Sequence, residues 1–211
     1  MNLSEELVKL KEEVIHMSDL VLNNLNIALK MLLTNTNKEY NIDDDIIDQE
    51  ERKLEQKCMH LLLVERPFAR DLRVISGILK LISDLERLGD HALDIENLAK
   101  KINFDLCRNE NIFNMAKVSL EMVRDSIKAY IDNDSKLSEE VIKKDDYIDD
   151  MFNVTLSNVV DYINGNTLNT KDAINVVLAI KYLERISDHA VNICEWVIYI
   201  NSGFHKDKVI I

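Results

Sequence analysis

The chain carries one eleven-residue segment twice. The first copy, Leu85–Ile95, reads LERLGDHALDI, and the second, Leu183–Ile193, reads LERISDHAVNI, so seven of the eleven positions are identical. A segment repeated within one chain indicates a repeated structural unit. Each copy contains Glu-x-x-x-Asp, a spacing that places two carboxylates on one face of a helix. The doubled segment therefore predicts a duplicated helical unit with acidic side chains in each half.

Few residues in this chain favour turns. It has four glycines and one proline among 211 residues, and 46% of its residues are hydrophobic. Sheets and hairpins need more turn residues than this, so the composition favours an all-α protein with a substantial core. Five breaks divide the chain into six amphipathic segments, and they fall near residues 34–38, 65–67, 103–111, 132–138 and 165–169.

Local signals predict where some helices begin. Ser4 and Ser138, each followed by two glutamates, are typical helix N-caps. Pro67, the single proline, suits the first position of a helix, where an amide N–H is not required. An apolar stripe with helical spacing precedes and enters the first copy of the doubled segment; its members are Ile75, Ile78, Ile82, Leu85, Ala92 and Ile95.

The six segments and the doubled segment together predict two tandem antiparallel three-helix bundles. We expect the first bundle over residues 1–103, the second over residues 111–204, and a C-terminal tail over residues 205–211. The tail ends in three apolar residues, Val209–Ile211. These either attach to a partner or a dimer mate, or fray, as chain ends commonly do.

Charge and cysteine usage limit the classes of function. The net charge of −12 argues against nucleic-acid binding, which needs concentrated lysine and arginine. Cys58, Cys107 and Cys194 form no CxxC pair and fit buried, reduced thiols. The start lacks the pattern of a signal peptide, and no stretch approaches the ~20 apolar residues of a membrane span. We therefore expect a cytoplasmic location.

Acidic residues are also placed symmetrically about the predicted hairpin turns. Residues at equal distances from the turn of an antiparallel hairpin lie level with each other. About position 67 the level pairs are Asp48 with Glu86 and Asp44 with Asp90. About the turn next to Gly165 they are Asp149 with Glu184 and Asp145 with Asp188. We call these two sets of four carboxylates the first seam and the second seam.

Four carboxylates on one seam repel each other strongly if all are ionised. Two like charges ~4 Å apart cost about 4 kcal/mol at an effective dielectric constant of ~20. Either the side chains turn towards water, or protons or cations neutralise them. A set of oxygen ligands suits Mg²⁺, Mn²⁺, Ca²⁺ or iron. We predict that both seams bind metal, with neighbouring Asp45 and Asp146 as substitutes if the helix register differs by one residue.

Two signature segments resemble those of the PhoU family of phosphate-uptake regulators. One runs from Arg66-Pro67 through Asp71-Leu72-Arg73 and continues into the first copy of the doubled segment; the other is the second copy followed by Cys194-Glu195. The resemblance covers nearly the whole chain. It implies a fold of two three-helix bundles and multinuclear metal clusters on Glu/Asp-x-x-x-Asp motifs, which map onto the eight seam residues. Two departures, Gly89 to Ser187 and Asp94 to Asn192, imply that the second site binds metal differently or more weakly.

The resemblance also implies a regulator that acts without catalysis. Such proteins damp uptake through a phosphate ABC transporter and hold a phosphate-sensing histidine kinase in its repressing state. The implied partners are the transporter's ATPase subunit and the sensor kinase, contacted at the membrane face, and self-association, most simply as a dimer, is common in the family.

Several other residues allow more than one interpretation. Arg66, Arg70 and Arg73 either contact a phosphate-bearing or acidic partner, or pair with Glu65 and Asp71. His91 and His189 point away from the acidic flank, which favours surface or inter-bundle hydrogen bonds over metal ligation. The segment from Trp196 to Ile200 is expected in the core or at an interface.

Two alternative functions remain open at the level of sequence. A structural adaptor would leave the seam acids solvated and free of metal. A carboxylate-bridged di-iron oxidase would need two Glu-x-x-His motifs, and the chain has only Glu13 with His16.

Overall fold

The computed structural model describes residues 3–34, 42, 44–102, 110–205 and 208–209. Within these ranges the chain forms six α-helices and one short β-hairpin. The helices are α1 (Leu3–Thr34), α2 (Asp45–Val64), α3 (Arg70–Ala99), α4 (Glu110–Asp132), α5 (Ser135–Asn164) and α6 (Thr170–Ser202). The prediction of an all-α protein with six helices is confirmed.

Each half of the chain packs as an antiparallel three-helix bundle. In the first half α3 packs against both α1 and α2, and in the second half α6 packs against both α4 and α5. The connection between α2 and α3 covers residues 65–69 and that between α5 and α6 covers residues 165–169. Both connections lie where the symmetry of the acidic residues predicted the turns. The tandem-bundle architecture is therefore confirmed, whereas the exact domain boundaries stay a prediction.

Three of the predicted helix starts are wrong. Helix α3 begins at Arg70, so Pro67 lies in the preceding connection rather than in the first turn.

Helix α5 begins at Ser135, and the carboxylate of Asp134 accepts hydrogen bonds from the amides of Lys136 and Leu137. Ser138 is buried inside the helix, where its hydroxyl donates to the Asp134 carbonyl oxygen. An aspartate four residues earlier thus supplies the cap that we assigned to the serine. Ser4 likewise lies inside α1.

One apolar core runs through both bundles. All six predicted stripe residues of α3 are at most 1% exposed, and the core includes residues from every helix. The bundles meet where α3 packs against α6 and where α1 packs against α4. Cys58 and Cys194 are buried free thiols, as predicted, and Cys107 lies outside the described residues.

The C-terminal segment folds back after α6. Gly203 adopts φ 84° and ends the helix with a hydrogen bond from its amide to the Tyr199 carbonyl oxygen. Strands β1 (Phe204–His205) and β2 (Lys208–Val209) then pair antiparallel. The ring of His205 stacks on Trp196 with centroids 3.9 Å apart, while Val197 and Tyr199 are core residues, as expected. No helix in the described part of the chain is long and apolar enough to cross a membrane.

Candidate metal centre

A glycine allows the start of α2 to approach α3 closely. A Cβ atom added at Gly89 would lie 3.0 Å from Asp44 Oδ1 and 3.0 Å from Ile47 Cδ1. Asp44 occupies the N-cap position of α2, yet its side chain makes no capping hydrogen bond. Its carboxylate is instead directed towards α3, where the first copy of the doubled segment carries Glu86 and Asp90. Acidic residues at equal distances from the turn therefore face each other across α2 and α3, as predicted.

The four carboxylates of the first seam interact electrostatically. Burial, the neighbouring Asp90 and Asp48 charges, and a hydrogen bond with Asp90 raise the pKa of Asp44 to about 6. Burial, followed by the Asp90 charge, raises the pKa of Glu86 to about 7, and Asp48 adds to this effect. All four side chains are half-buried. The first seam is therefore a partly dry concentration of negative charge.

The second seam repeats this arrangement in a wetter setting. Burial and the charges of Asp188, Asp149 and Glu184 raise the pKa of Asp145 to about 6. The pKa of Asp188 is also raised, by burial and then by the Glu184 charge. Asp149 and Asp188 are exposed, unlike their counterparts Asp48 and Asp90 in the first seam. Two of the four acids are thus more exposed in the second seam than in the first.

Basic side chains partly neutralise both seams. In the first seam Arg52 donates to Asp48 at 2.9 Å and Arg87 donates to Asp90 at 2.8 Å. In the second seam Lys181 donates to Glu184 at 2.7 Å. With the side chains in these positions, no three Asp, Glu, His or Cys groups among the described residues converge as a ready set of metal ligands. Arg87 and Lys181 are 60% and 43% exposed, so both can turn into water, Lys181 at the cost of its contact with the Phe152 ring.

Orphaned oxygens show that the seams suit a cation. Asp44 Oδ1 and its counterpart Asp145 Oδ1 are both buried and have no hydrogen-bond partner within the described ranges. A buried carboxylate oxygen without a partner carries the full cost of desolvation. Oxygen-only ligands of this kind match hard cations such as Mg²⁺, Mn²⁺, Ca²⁺ or iron. The residues present therefore fit a metal ion, although metal binding itself stays a prediction.

Sequence reasoning missed the residues that modulate the seams. Burial and the charges of Glu55 and Asp48 raise the pKa of Glu51, one turn beyond Asp48 on α2. Glu51 could have been found, because it continues the acidic spacing of Asp44 and Asp48 along the helix. The roles of Arg87 and Lys181 follow only from side-chain positions, which spacing alone does not give.

The differences between the two copies fall in two separate places. Ser187, the counterpart of Gly89, is fully buried, and its Oγ lies 2.9 Å from Ser119 Oγ and 3.2 Å from the Leu183 carbonyl oxygen, which are the two acceptors within reach of its hydroxyl hydrogen. Asn192, the counterpart of Asp94, donates to Asp84 at 3.0 Å across the bundle interface. The first difference concerns the packing of α6 against α4, and the second concerns the contact between the bundles.

The two copies of the doubled segment face each other across that interface. His189 Nδ1 lies 2.8 Å from Asp84 Oδ1, which joins α6 to α3. The ring of His91, 5% exposed, packs against those of His189 and Tyr182 with centroids 5.4 and 5.9 Å away. The expected inter-bundle hydrogen bonding is confirmed for His189, and His91 contributes through packing.

The three arginines near the first turn are not paired as one interpretation required. Arg66 and Arg70 are exposed and Arg73 is half-buried. None of the three guanidinium groups forms an ion pair with another described residue, so the proposed pairing with Glu65 and Asp71 is absent there.

The single Glu-x-x-His motif does not join either seam. Glu13 accepts a hydrogen bond from Lys57 at 2.9 Å, which links α1 to α2. The described structure thus gives no support to the helical arrangement of a di-iron oxidase.

Comparison with known proteins identifies relatives along the whole chain. A family model described as the PhoU domain matches twice, over residues 14–99 and 112–197. A protein of Thermotoga maritima named phosphate-specific transport system accessory protein PhoU homolog 1 is 34% identical over 206 residues, covering 94% of this chain and 88% of the relative. A homolog of the same description from Aquifex aeolicus is 35% identical over 216 residues, covering 96% and 94%.

Solved structures show the same fold. The crystal structure of PhoU from Pseudomonas aeruginosa has a TM-score of 0.87 and 29% sequence identity, and the match covers 96% of this chain and 100% of that one. A second crystal structure, from Streptococcus pneumoniae, has a TM-score of 0.84 at 24% identity. The similarity extends over both bundles and both copies of the doubled segment.

Proposed function

Because the chain belongs to the PhoU family, we propose that it is a non-catalytic regulator of phosphate uptake. The proposal is supported by relatives that are named accessory proteins of the phosphate-specific transport system. It is also supported by the match of both bundles to the family model.

The proposed regulator lowers uptake when phosphate is plentiful. It would contact the ATPase subunit of a phosphate ABC transporter and a phosphate-sensing histidine kinase at the cytoplasmic face of the membrane, and would hold the kinase in its repressing state. Long exposed faces on six helices provide surface for such contacts, and self-association as a dimer is part of the proposal.

Metal ions bound at the two seams form the structural part of the proposal. The observation that carries it is the pair of buried, unpartnered oxygens on Asp44 and Asp145. A divalent or trivalent cation supplies the positive charge that four facing carboxylates require. Asp44 and Asp48 would then be fixed against Glu86 and Asp90, and the second seam likewise, which would set the shape that a partner recognises.

A deletion experiment tests the regulatory role. Removal of the gene should raise phosphate uptake and the output of a phosphate-starvation reporter in phosphate-replete cells, and the intact gene should restore both. A variant with Glu86→Gln and Glu184→Gln should restore them less well if the seams matter for regulation. Unchanged uptake and unchanged reporter output in the deletion strain would refute the proposed function.

A further inference from the structure

A cavity lies away from both seams. It has a volume of about 750 Å³ and opens where the starts of α1 and α3 meet the ends of α4 and α6. The residues Arg73 and Glu86 are separated along α3 by thirteen positions, or roughly 20 Å at 1.5 Å per residue. A ligand in this cavity is therefore distinct from a metal ion at the first seam.

Three cationic side chains line this cavity and only one carboxylate does. The cations are Lys11, Arg70 and Arg73, and the carboxylate is Asp71. Neither arginine side chain forms an ion pair with another described residue, and Arg73 Nε is buried without a hydrogen-bond partner. A buried guanidinium N–H that lacks an acceptor is costly. Because the whole chain carries a charge of −12, the net charge of +2 on the lining residues is an exception that indicates an anionic ligand, even with Asp132 near enough to raise the pKa of Lys11.

Lys11 is held in place at the wall of the cavity. Its ammonium group donates to the Ile131 carbonyl oxygen at 2.7 Å and lies 5.7 Å from the centre of the Tyr130 ring. Burial lowers the pKa of this lysine, so a nearby anion would favour its charged form. The cation is thus positioned before any ligand arrives.

The remaining wall is partly apolar. Its apolar residues are Leu7, Val8, Val74, Ile78 and Ile200, and its polar ones are Ser4, Tyr130, Asn133 and Asn201. Cavities of roughly 300–1,000 Å³ accommodate small organic ligands, and a bare phosphate ion would leave most of this volume empty. The combination of a cationic end and an apolar wall fits a ligand with an anionic group and an organic body.

The doubled architecture provides an internal comparison. The residues that lie 98 positions after Arg70 and Arg73, by the spacing of the doubled segment, are Leu168 and Lys171. The 230 Å³ cavity of the second bundle lies among α4, α5 and α6 and is not the counterpart of the cationic cavity. The pair of arginines is specific to the first copy, since Lys171 is the one cation at the two equivalent positions.

We propose that this cavity binds a phosphorylated small organic molecule, whose phosphate contacts Arg70 and Arg73 and whose organic part lies on the apolar wall. A phosphate monoester carries about −1.5 to −2 charges at neutral pH, which matches the local excess of positive charge. The planar guanidinium forks suit two oxygens of one phosphate group. This inference does not depend on the proposed regulation of phosphate uptake.

Calorimetric titration of the metal-free, full-length protein tests the proposal. The probes are ribose 5-phosphate, adenosine 5′-monophosphate, adenosine and inorganic phosphate. Both monoesters should bind, inorganic phosphate should bind more weakly, and adenosine should not bind. Arg70→Gln combined with Arg73→Gln should weaken monoester binding by about tenfold or more, since each lost charge-assisted hydrogen bond is substantial.

Matched controls separate the cavity from a general effect of charge. Arg66→Gln removes the same charge from the same turn, but Arg66 does not line the cavity, so binding should be unchanged. Val8→Trp, at an exposed rim position, should block the monoesters without altering charge or folding. Thermal unfolding of each variant verifies that it is folded.

Three results would overturn the proposal. These are the absence of monoester binding at millimolar concentrations, equal weakening by Arg66→Gln, and no weakening in the double variant. Binding to vesicles that contain phosphatidylglycerol, dependent on Arg70 and Arg73 but without binding of the soluble monoesters, would assign the surface to a membrane instead and would also overturn it.

Discussion

Asp44 and Asp145 occupy equivalent places in the two bundles, and each has one buried carboxylate oxygen without a hydrogen-bond partner among the described residues. Their pKa values are raised to about 6 by burial and by the acids that face them. The same need for a proton or a positive charge at a buried carboxylate oxygen therefore occurs in both halves of the chain. Either protons or cations must satisfy it, and the two possibilities respond in opposite ways to pH.

The raised pKa values predict how stability depends on pH in the metal-free protein. Glu86 has a pKa of about 7 in the folded protein, against 4.5 for an ordinary glutamate. Between these two pH values the folded state retains a proton that the unfolded state has lost, so the free energy of unfolding should fall as pH rises from about 4.5 to about 7.5. Metal affinity should rise over the same interval, because metal and protons compete for the carboxylates.

Glu86→Gln provides the control for this pH dependence. Between pH 4.5 and 7.5 the free energy of unfolding should fall by less in the variant than in the wild type. The difference should be on the order of 2 kcal/mol once solvent screening is allowed for. Denaturant titrations in the presence of a chelator measure this difference. A variant whose stability follows the same pH profile as that of the wild type would show that Glu86 has an ordinary pKa.

Asp84 links the two bundles through polar contacts. Its carboxylate contacts His189 Nδ1 at 2.8 Å and accepts a hydrogen bond from Asn192 Nδ2 at 3.0 Å. Asp84→Ala should lower the free energy of unfolding by about 1–3 kcal/mol, because it leaves two polar partners unsatisfied. A double-mutant cycle with His189→Ala measures the coupling, and strictly additive effects would contradict the contact.

At the scale of helices, Gly77 allows α3 and α6 to cross closely. A Cβ atom there would overlap Ile200 Cγ1 and lie 2.9 Å from its Cδ1. Gly77→Ala should therefore destabilise the protein by about 1–2 kcal/mol, since overpacking outweighs the gain of up to ~1 kcal/mol in helix propensity. Thermal or chemical unfolding measures the change.

Ile200→Ala in the Gly77→Ala background tests the reason for this effect. The second substitution removes the side-chain atoms that the new methyl group meets. The double variant should therefore be less destabilised than the two single effects would give when added. Simple additivity, or a stabilising effect of Gly77→Ala alone, would mean that the helices do not approach closely at this position.

The sequence predicted the helices better than it predicted their ends. Symmetry of acids about the turns located both hairpins, because antiparallel pairing fixes which residues lie level. Helix starts were less certain, because several nearby residues can cap one helix: Asp134 caps α5 although Ser138 has the stronger sequence signature. Several local signals of similar energy compete to end a helix, so its exact end is hard to predict. No other pattern competes with the apolar stripe of α3, so the helix itself was predicted.

At the scale of the whole molecule, the contact between bundles could not be predicted from spacing. The directions of His91 and His189 favoured surface or inter-bundle hydrogen bonds, but the doubled segment did not identify their partners on the opposite bundle, Tyr182 for His91 and Asp84 for His189. Residues such as Asp84 and Asn192 acquire their roles only when α3 and α6 pack. The acids of each seam were predictable because they lie within one hairpin, and the inter-bundle contacts were not because they join distant parts of the chain.

The two seams should differ in metal affinity. In the first seam all four acids are half-buried, whereas Asp149 and Asp188 of the second seam are exposed. Ion–carboxylate attraction is stronger where water is excluded. We therefore expect the first seam to bind metal more tightly, and Glu86→Gln to reduce total binding more at low metal concentration than Glu184→Gln does.

Metal stoichiometry in purified protein tests the central claim most directly. Equilibrium dialysis against Mn²⁺ at pH 7.5, followed by elemental analysis, should find metal at both seams of the wild type. The number of metal ions bound per chain should fall in Glu86→Gln and fall again when Glu184→Gln is added. It should stay unchanged in the control variant Glu12→Gln on α1. Wild-type protein that binds no metal, or a double variant that binds as much as the wild type, would contradict the account and would favour an adaptor whose acids are satisfied by protons and basic side chains.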